Sequence, residues 1–282
     1  HPLMGSPFHR LLIYCDTRLL VRLGMETFSH GHVRELTCGR FIGENQLQKL
    51  YFTEAIIALS WANGVLDPME QRLIKNLMDI AGFDSEERRL LANCLQGDLP
   101  PMDELRQSIT DPINRRFLLE QVIFASFIDG EQTDDESRYI DNLGKAFDLD
   151  SAALAALEAE TVAAIEADPS LLAGFSAGGA FQRLRRHAQK RIEQTIRENL
   201  QALRTEIGET SDLFKLMVKA SKEKLTPEEQ ARAKAQLIDI CKTIPSLALL
   251  IAPGGSIMVP LLMKILPFSL LPSAFDEKDE VF

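Results

Sequence analysis

From about residue 47 onward, apolar residues recur at spacings of three and four, the period of a helix with one buried face. The pattern predicts helices over 47–62, 69–82, 86–95, 113–128, 136–147 and 152–166. Turn residues separate them: Asn63-Gly64, Gly82-Phe83-Asp84, Gly97 to Pro101, Asp111-Pro112, Asp129-Gly130 and Asp148. No alternating β-branched run is long enough for a sheet, so the reading is all-α.

Two stretches of this pattern echo each other at an offset of 66 residues. Residues 55–77 read AIIALSWANGVLDPMEQRLIKNL, and 121–143 read QVIFASFIDGEQTDDESRYIDNL, with eight identical columns. Each copy is an apolar helix, an Asn/Asp-Gly turn, a short polar loop and a second helix. Two such pairs packed face to face share one core.

Beyond them, 171–182 (LLAGFSAGGAFQ) reads as a hinge. A polar connecting helix follows from about Arg183 to Ile207, with a narrow stripe of Leu184, Ile192, Ile196, Leu200, Leu203 and Ile207. Arg183, Arg185, Arg186, Lys190 and Arg191 make it a basic arm. Such an arm either meets anionic lipid or ribosomal RNA phosphate, or is solvated and pairs with the protein's own acids. Helices over about 211–222 and 227–243 come next. Thr226-Pro227-Glu228-Glu229 opens the second with an N-cap, a proline at N1 and a Glu at N3.

The last apolar segment, Ile244 to Phe275, carries one charge, Lys264, and five prolines. Its first twenty residues, Ile244 to Met263, are uncharged. At about 1.5 Å per residue that length matches about 30 Å of hydrocarbon. Pro253, Gly254, Gly255 and Pro260 interrupt any such helix, and interrupted backbone inside lipid needs protein or water around it. The segment is therefore an unusual membrane element or a Pro-interrupted apolar helical hairpin buried in a soluble core.

Composition narrows the function classes. The chain has 282 residues, 45% hydrophobic and 26% charged, as in globular proteins. A net charge of −10 speaks against free DNA as a partner. Cys15, Cys38, Cys94 and Cys241 lie far apart without zinc spacing and read as reduced thiols. His9, His30, His32 and His187 have no nucleophile motif beside them, and the Gly-Gly pairs lack a Walker or Rossmann context, so no enzyme is indicated. Residues 1–40 are an N-terminal extension of unassigned structure, with Met4 and Met25 both candidate start residues.

The acidic loops are the remaining chemistry. Asp67 and Glu70 lie in the first copy; Asp129, Glu131, Asp134, Asp135 and Glu136 lie in the second. Clustered carboxylates suit a hard cation such as calcium or magnesium. The same residues form capping boxes, Asp67 to Glu70 and Thr133 to Glu136, whose carboxylates serve helix N-termini.

The pattern Ala-Asn-Gly-x-x-x-x-x-Glu at 62–70, echoed from Asp129-Gly130 to Glu136, resembles the TerB-like helical domain over about residues 45–165. The resemblance implies a compact bundle with an internal two-fold repeat, linked to tellurite resistance, whose acidic surface is proposed to hold metal ions. Asn63 stands where that pattern usually has Asp. Residues 212–275 resemble the LETM family of mitochondrial inner-membrane proteins, on Pro245, the pair Pro253 and Pro260, and the Leu271 to Phe275 ending. That resemblance implies cation/proton exchange or ribosome binding, with Asp239 and Lys264 as the polar residues flanking the membrane segment. Ser256 replaces the acidic residue that family members usually carry three positions after the first paired proline, which weakens the exchange reading.

The expected organisation is an extension (1–40), a TerB-like bundle (41–168), a hinge and basic helix (169–210) and a LETM-like segment (211–282). The expected protein is a non-enzymatic one on the cytoplasmic side of a bacterial inner membrane, acting in ion homeostasis or ribosome binding. The alternative is a cytoplasmic stress-response or scaffolding protein whose acidic surface binds a divalent metal or a protein partner.

Overall fold

A computed structural model describes residues 7–127, 132–168, 179–220, 223, 225–251, 258, 261, 262 and 265. The fold is all-α, with no strand among the described residues; besides a helical stretch at 245–251 there are twelve helices. In chain order they are α1 (Pro7–His30), α2 (Glu35–Ser60), α3 (Pro68–Ile80), α4 (Ser85–Cys94), α5 (Met102–Ser108), α6 (Pro112–Ala125), α7 (Asp134–Ala146), α8 (Ser151–Ala167), α9 (Ala180–Glu198), α10 (Leu200–Glu209), α11 (Ser211–Ala220) and α12 (Pro227–Thr243).

The chain divides into two compact units. The first takes residues 1–149 and 165–183, the second 150–164 and 184–282. The division places most of α8 with the C-terminal unit, whereas the sequence reading ended the bundle at 168.

In the first unit α2 packs against each of α1, α3, α4, α5, α6 and α7. The reason is local. From Phe52 to Ser60 every residue of α2 is buried, and this stretch is apolar on all sides except at Thr53, Glu54 and Ser60. A helix apolar all round must be covered all round. Helix α2 packs on α3, and α6 on α7. Tyr139 of α7 donates its hydroxyl to the Ala55 carbonyl on α2 at 3.0 Å.

Helix ends follow the capping chemistry. Asp84–Glu87, Thr133–Glu136 and Thr226–Glu229 form complete capping boxes. At the end of α5, Arg115 donates to the Ile109 carbonyl at 2.6 Å and the Arg106 carbonyl at 3.0 Å. It also meets Asp148 at 3.1 Å, where the chain turns with φ of 65°. A guanidinium satisfies the orphan carbonyls of a helix terminus well.

The helix expected over 47–62 begins at Glu35, and three further findings differ from the periodicity. The N-terminal region holds a helix of 24 residues, α1, whose Leu11, Leu12 and Cys15 are buried. Tyr14 stacks on Phe117 of α6 with centroids 3.7 Å apart, and Phe52 of α2 lies 6.1 Å from Phe117. A short helix, α5, fills part of a stretch with no strong period. The arm expected as one helix from Arg183 to Ile207 is interrupted at Asn199, whose amide donates to the Thr195 carbonyl at 2.8 Å. Such a bond competes with the backbone ladder and suits a helix break.

In the second unit α10, α11 and α12 pack on one another. Leu184, Ile192, Ile196, Leu203 and Ile207 of the expected stripe are all buried.

Truncating Leu11 to Ala is expected to cost about 3 kcal/mol in chemical denaturation, the usual loss for a fully buried leucine. A chain starting at Met25 also lacks Leu12, Tyr14 and Cys15. It is expected to lose the cooperative transition of this unit, and retention of that transition would show α1 to be dispensable.

Candidate functional site

The first unit carries a cleft of about 480 Å³ between α1, α2 and the start of α6. Its walls include Arg18 and Arg22 from α1, Glu44, Asn45, Gln48 and Tyr51 from α2, and Asp111 and Asn114 from α6 and its N-cap. The helical spacing of 18 and 22, and of 44, 48 and 51, brings each set to one side of its helix.

Both arginines are matched by acids. Arg18 meets Asp111 at 2.8 Å and donates to the Tyr14 hydroxyl at 2.9 Å and to the Asn114 side-chain oxygen. Burial pulls its guanidinium pKa down, but the bonds to Tyr14 and Asp111 together carry it above its ordinary value. Arg22 meets Glu44 at 2.6 Å and lies 4.0 Å over the Phe41 ring. Next to the cleft, the buried Lys49 meets Asp16 at 2.6 Å, and Asn45 donates to the same carboxylate at 3.1 Å. What is left unmatched is the Gln48 side-chain N–H group, buried without a hydrogen-bond partner. The cleft therefore offers hydrogen-bonding groups rather than net charge, which suits a neutral polar segment more than an ion.

Two buried carboxyls stand apart from the cleft. Glu54 sits in the apolar part of α2, and burial, with Glu104 nearby, pushes it up to about 7. Glu158 on α8, in the second unit, is fully buried and faces His187 and Arg191 of α9. His187 Nδ1 lies 3.0 Å from one of its oxygens, and Arg191 Nε lies 2.8 Å from the other. The Arg191 contact is a close charge pair rather than an aligned hydrogen bond. This cluster ties α8 to α9, and it explains why α8 groups with the C-terminal unit.

The residues expected from sequence are dispersed. Glu70 accepts from the Asp67 backbone N–H at 3.2 Å. Glu136 accepts from the Thr133 N–H at 2.7 Å, while Asp134 is exposed in the first turn of α7. Asp129 and Glu131 lie outside the described residues. Among the described residues, no group of three or more His, Cys, Asp or Glu side chains is placed to share a metal ion. Asp239 is exposed and meets Lys242 at 2.8 Å, whereas Pro253, Pro260 and Lys264 lie outside the described residues. On α9, Arg185, Arg186 and Lys190 are exposed, and Arg183 and Arg191 are half-buried. Among the described residues, no helix is long and apolar enough to cross a membrane.

The thiols are free, and burial raises Cys15 and Cys241 to about 12 and Cys94 to about 11, which keeps them protonated and poorly nucleophilic.

No protein-family model, curated protein or solved structure matches this chain. Glu54 and Glu158, which the sequence reading passed over, do leave a trace in the sequence. Each lies inside a largely apolar run, Glu54 alone in FTEAIIAL and Glu158 with Glu160 in LAALEAETVAAI. Gln48 leaves none, because its isolation depends on what surrounds the cleft.

The Glu54 carboxyl gives a pH signature of defined sign. Its folded pKa, about 7, stands above the ordinary value of 4.5. Its contribution is therefore complete below pH 4.5 and is lost as pH rises through about 7. Glu54→Gln is expected to remove this slope and to raise stability at pH 8 by on the order of 2 kcal/mol, read by urea denaturation at several pH values. A slope unchanged in the variant would assign it to other groups.

For Glu158, Arg191→Met is expected to cost about 3 kcal/mol, because a buried carboxylate loses a cation. The double variant Glu158→Leu/Arg191→Met is expected to recover most of that loss in the same denaturation assay. If it recovers none, the two residues do not act as a pair.

Proposed function

We propose that this chain is an all-helical scaffolding protein that keeps its proline-rich apolar run as interior and engages a protein partner through its N-terminal unit. The observation that carries this reading is burial. Ile244, Leu247, Leu250, Met258, Leu262 and Ile265, all from the run, are buried. The Ser246 hydroxyl, at the start of the run, also donates to the Asn199 side-chain oxygen at 2.8 Å. Leucines facing lipid would stand exposed on the isolated chain, whereas those filling a core are covered by it.

The acidic loops fit the same role. Glu70 and Glu136 spend carboxylate oxygens on the N-termini of α3 and α7, so we read them as caps, and the acidic surface as contact surface for a partner rather than a calcium or magnesium site. The pairs α2–α3 and α6–α7 are read as two copies of one helical unit, in keeping with the TerB-like resemblance. The role is one of assembly rather than catalysis, and the compartment is the cytoplasm.

Cell fractionation tests this. The protein is expected in the high-speed supernatant without detergent, and Leu247→Asp is expected to cost about 2–4 kcal/mol of stability there. Pelleting with membranes that survives a carbonate wash would overturn the reading. It would restore the LETM-like one, with Asp239 and Lys264 flanking a segment in lipid.

A further inference from the structure

The first helix has an outer face that is bare among the described residues. Ile13, Leu20, Val21 and Phe28 are each more than half exposed, Phe28 at 90%. Thr17 and Gly24 lie between them and are exposed as well, and an added Cβ at Gly24 would meet nothing within 4 Å. The series 13, 17, 20, 21, 24, 28 follows one side of a helix, and no member is charged. Asp16, Arg18 and Arg22 of α1 are engaged by other segments, and Glu26 by His30 one turn on. Asp16 meets Lys49 at 2.6 Å, Arg18 meets Asp111 at 2.8 Å, Arg22 meets Glu44 at 2.6 Å, and Glu26 meets His30 at 3.6 Å.

We propose that this face is the interface of a symmetric homodimer, in which α1 packs antiparallel on α1 of a second copy. Three features select that occupant. A two-fold interface must be complementary to itself, each residue i meeting j while j meets i. Antiparallel pairing about Leu20 and Val21 sets Ile13 against Phe28, and Thr17 against the open Cα of Gly24. Bulk then meets bulk at the ends, and the only side-chain-free position meets a small residue. No charge opposes its own copy, because the seam has none. The four large side chains leave on the order of several hundred Å² of apolar surface in water, the range at which a patch on a monomer marks an interface. The polar flanks of α1 extend this toward the roughly 800 Å² per partner of a standard interface. A helix lying on lipid carries a Lys/Arg-rich polar face, whereas Arg18 and Arg22 here are matched by carboxylates.

The inference goes beyond the scaffolding reading and stands without it, since it involves no residue of the C-terminal run. Sedimentation velocity of the full chain over a concentration series is expected to give a species of twice the 31.6 kDa chain mass. Leu20→Glu is expected to weaken the dimer at least tenfold with unchanged helical content. Under mild oxidation, Thr17→Cys/Gly24→Cys is expected to form a covalent dimer, while neither single variant does. Residues seven apart on one helix are too distant to bridge within a chain. A monomer at all concentrations overturns the proposal, as does a dimer that ignores Leu20→Glu or a double-cysteine variant no more cross-linked than its singles. Co-flotation of the wild type with neutral or anionic phospholipid vesicles, abolished by Leu20→Glu, would assign the face to lipid and overturn it too. A soluble monomer would still leave the burial of the C-terminal run as found.

Discussion

The N-terminal unit depends on the burial of one helix on every side. The last turns of α2 carry no polar face to leave in water, so six helices gather around it. Each makes its own demand on the surface it covers: α1 and α6 bring the stacked Tyr14 and Phe117, and α7 brings a tyrosine hydroxyl to a backbone carbonyl. Cores are packed as tightly as organic crystals, so these surfaces must interlock. The cleft lies at the more polar end of the same helix, where Glu44, Asn45 and Gln48 replace the apolar run. Core and cleft are thus two segments of one helix, separated by a change in residue type about two turns long.

Buried charge is handled in two ways. Glu54 has no cation beside it, and its proton is held to near neutrality. Glu158 faces His187 and Arg191, which keep α8 and α9 together. The first solution avoids the cost of an ion in a poor solvent, and the second offsets it with opposite charge. Only the second also joins two helices, which gives Glu158 a place in the architecture that Glu54 lacks.

The same physical ambiguity ran through both functional features of the sequence. A carboxylate at a helix start can hold a cation or a backbone N–H, and in α7 and α12 the backbone N–H is its partner. An apolar run can seek lipid or the protein's own interior; here Leu247, Leu250 and Leu262 are buried while Leu249 is exposed. In both cases the residue type leaves two outcomes open, and the choice depends on what lies within a few ångströms.

The helical class, most helix limits and two of the capping boxes were legible from the sequence, because they rest on interactions within four residues. Thr133 and Thr226 find their partners three positions on, at a distance that helix geometry sets in advance, whereas the Asp84 box was read only as a turn. The apolar stripe of α9 and α10 was legible for the same reason. The place of α1 was not, since its apolar residues point both inward, as Leu11 and Cys15 do, and outward, as Leu20 and Phe28 do, and no single period separates the two sets. Nor was the pairing of Glu158 with residues 29 and 33 positions away, nor the break at Asn199. Local rules are written in the chain because their distances are short and fixed. Which carboxylate is buried, which face of a helix stays bare and which helices share a core depend on contacts between distant segments, and folding alone brings those together.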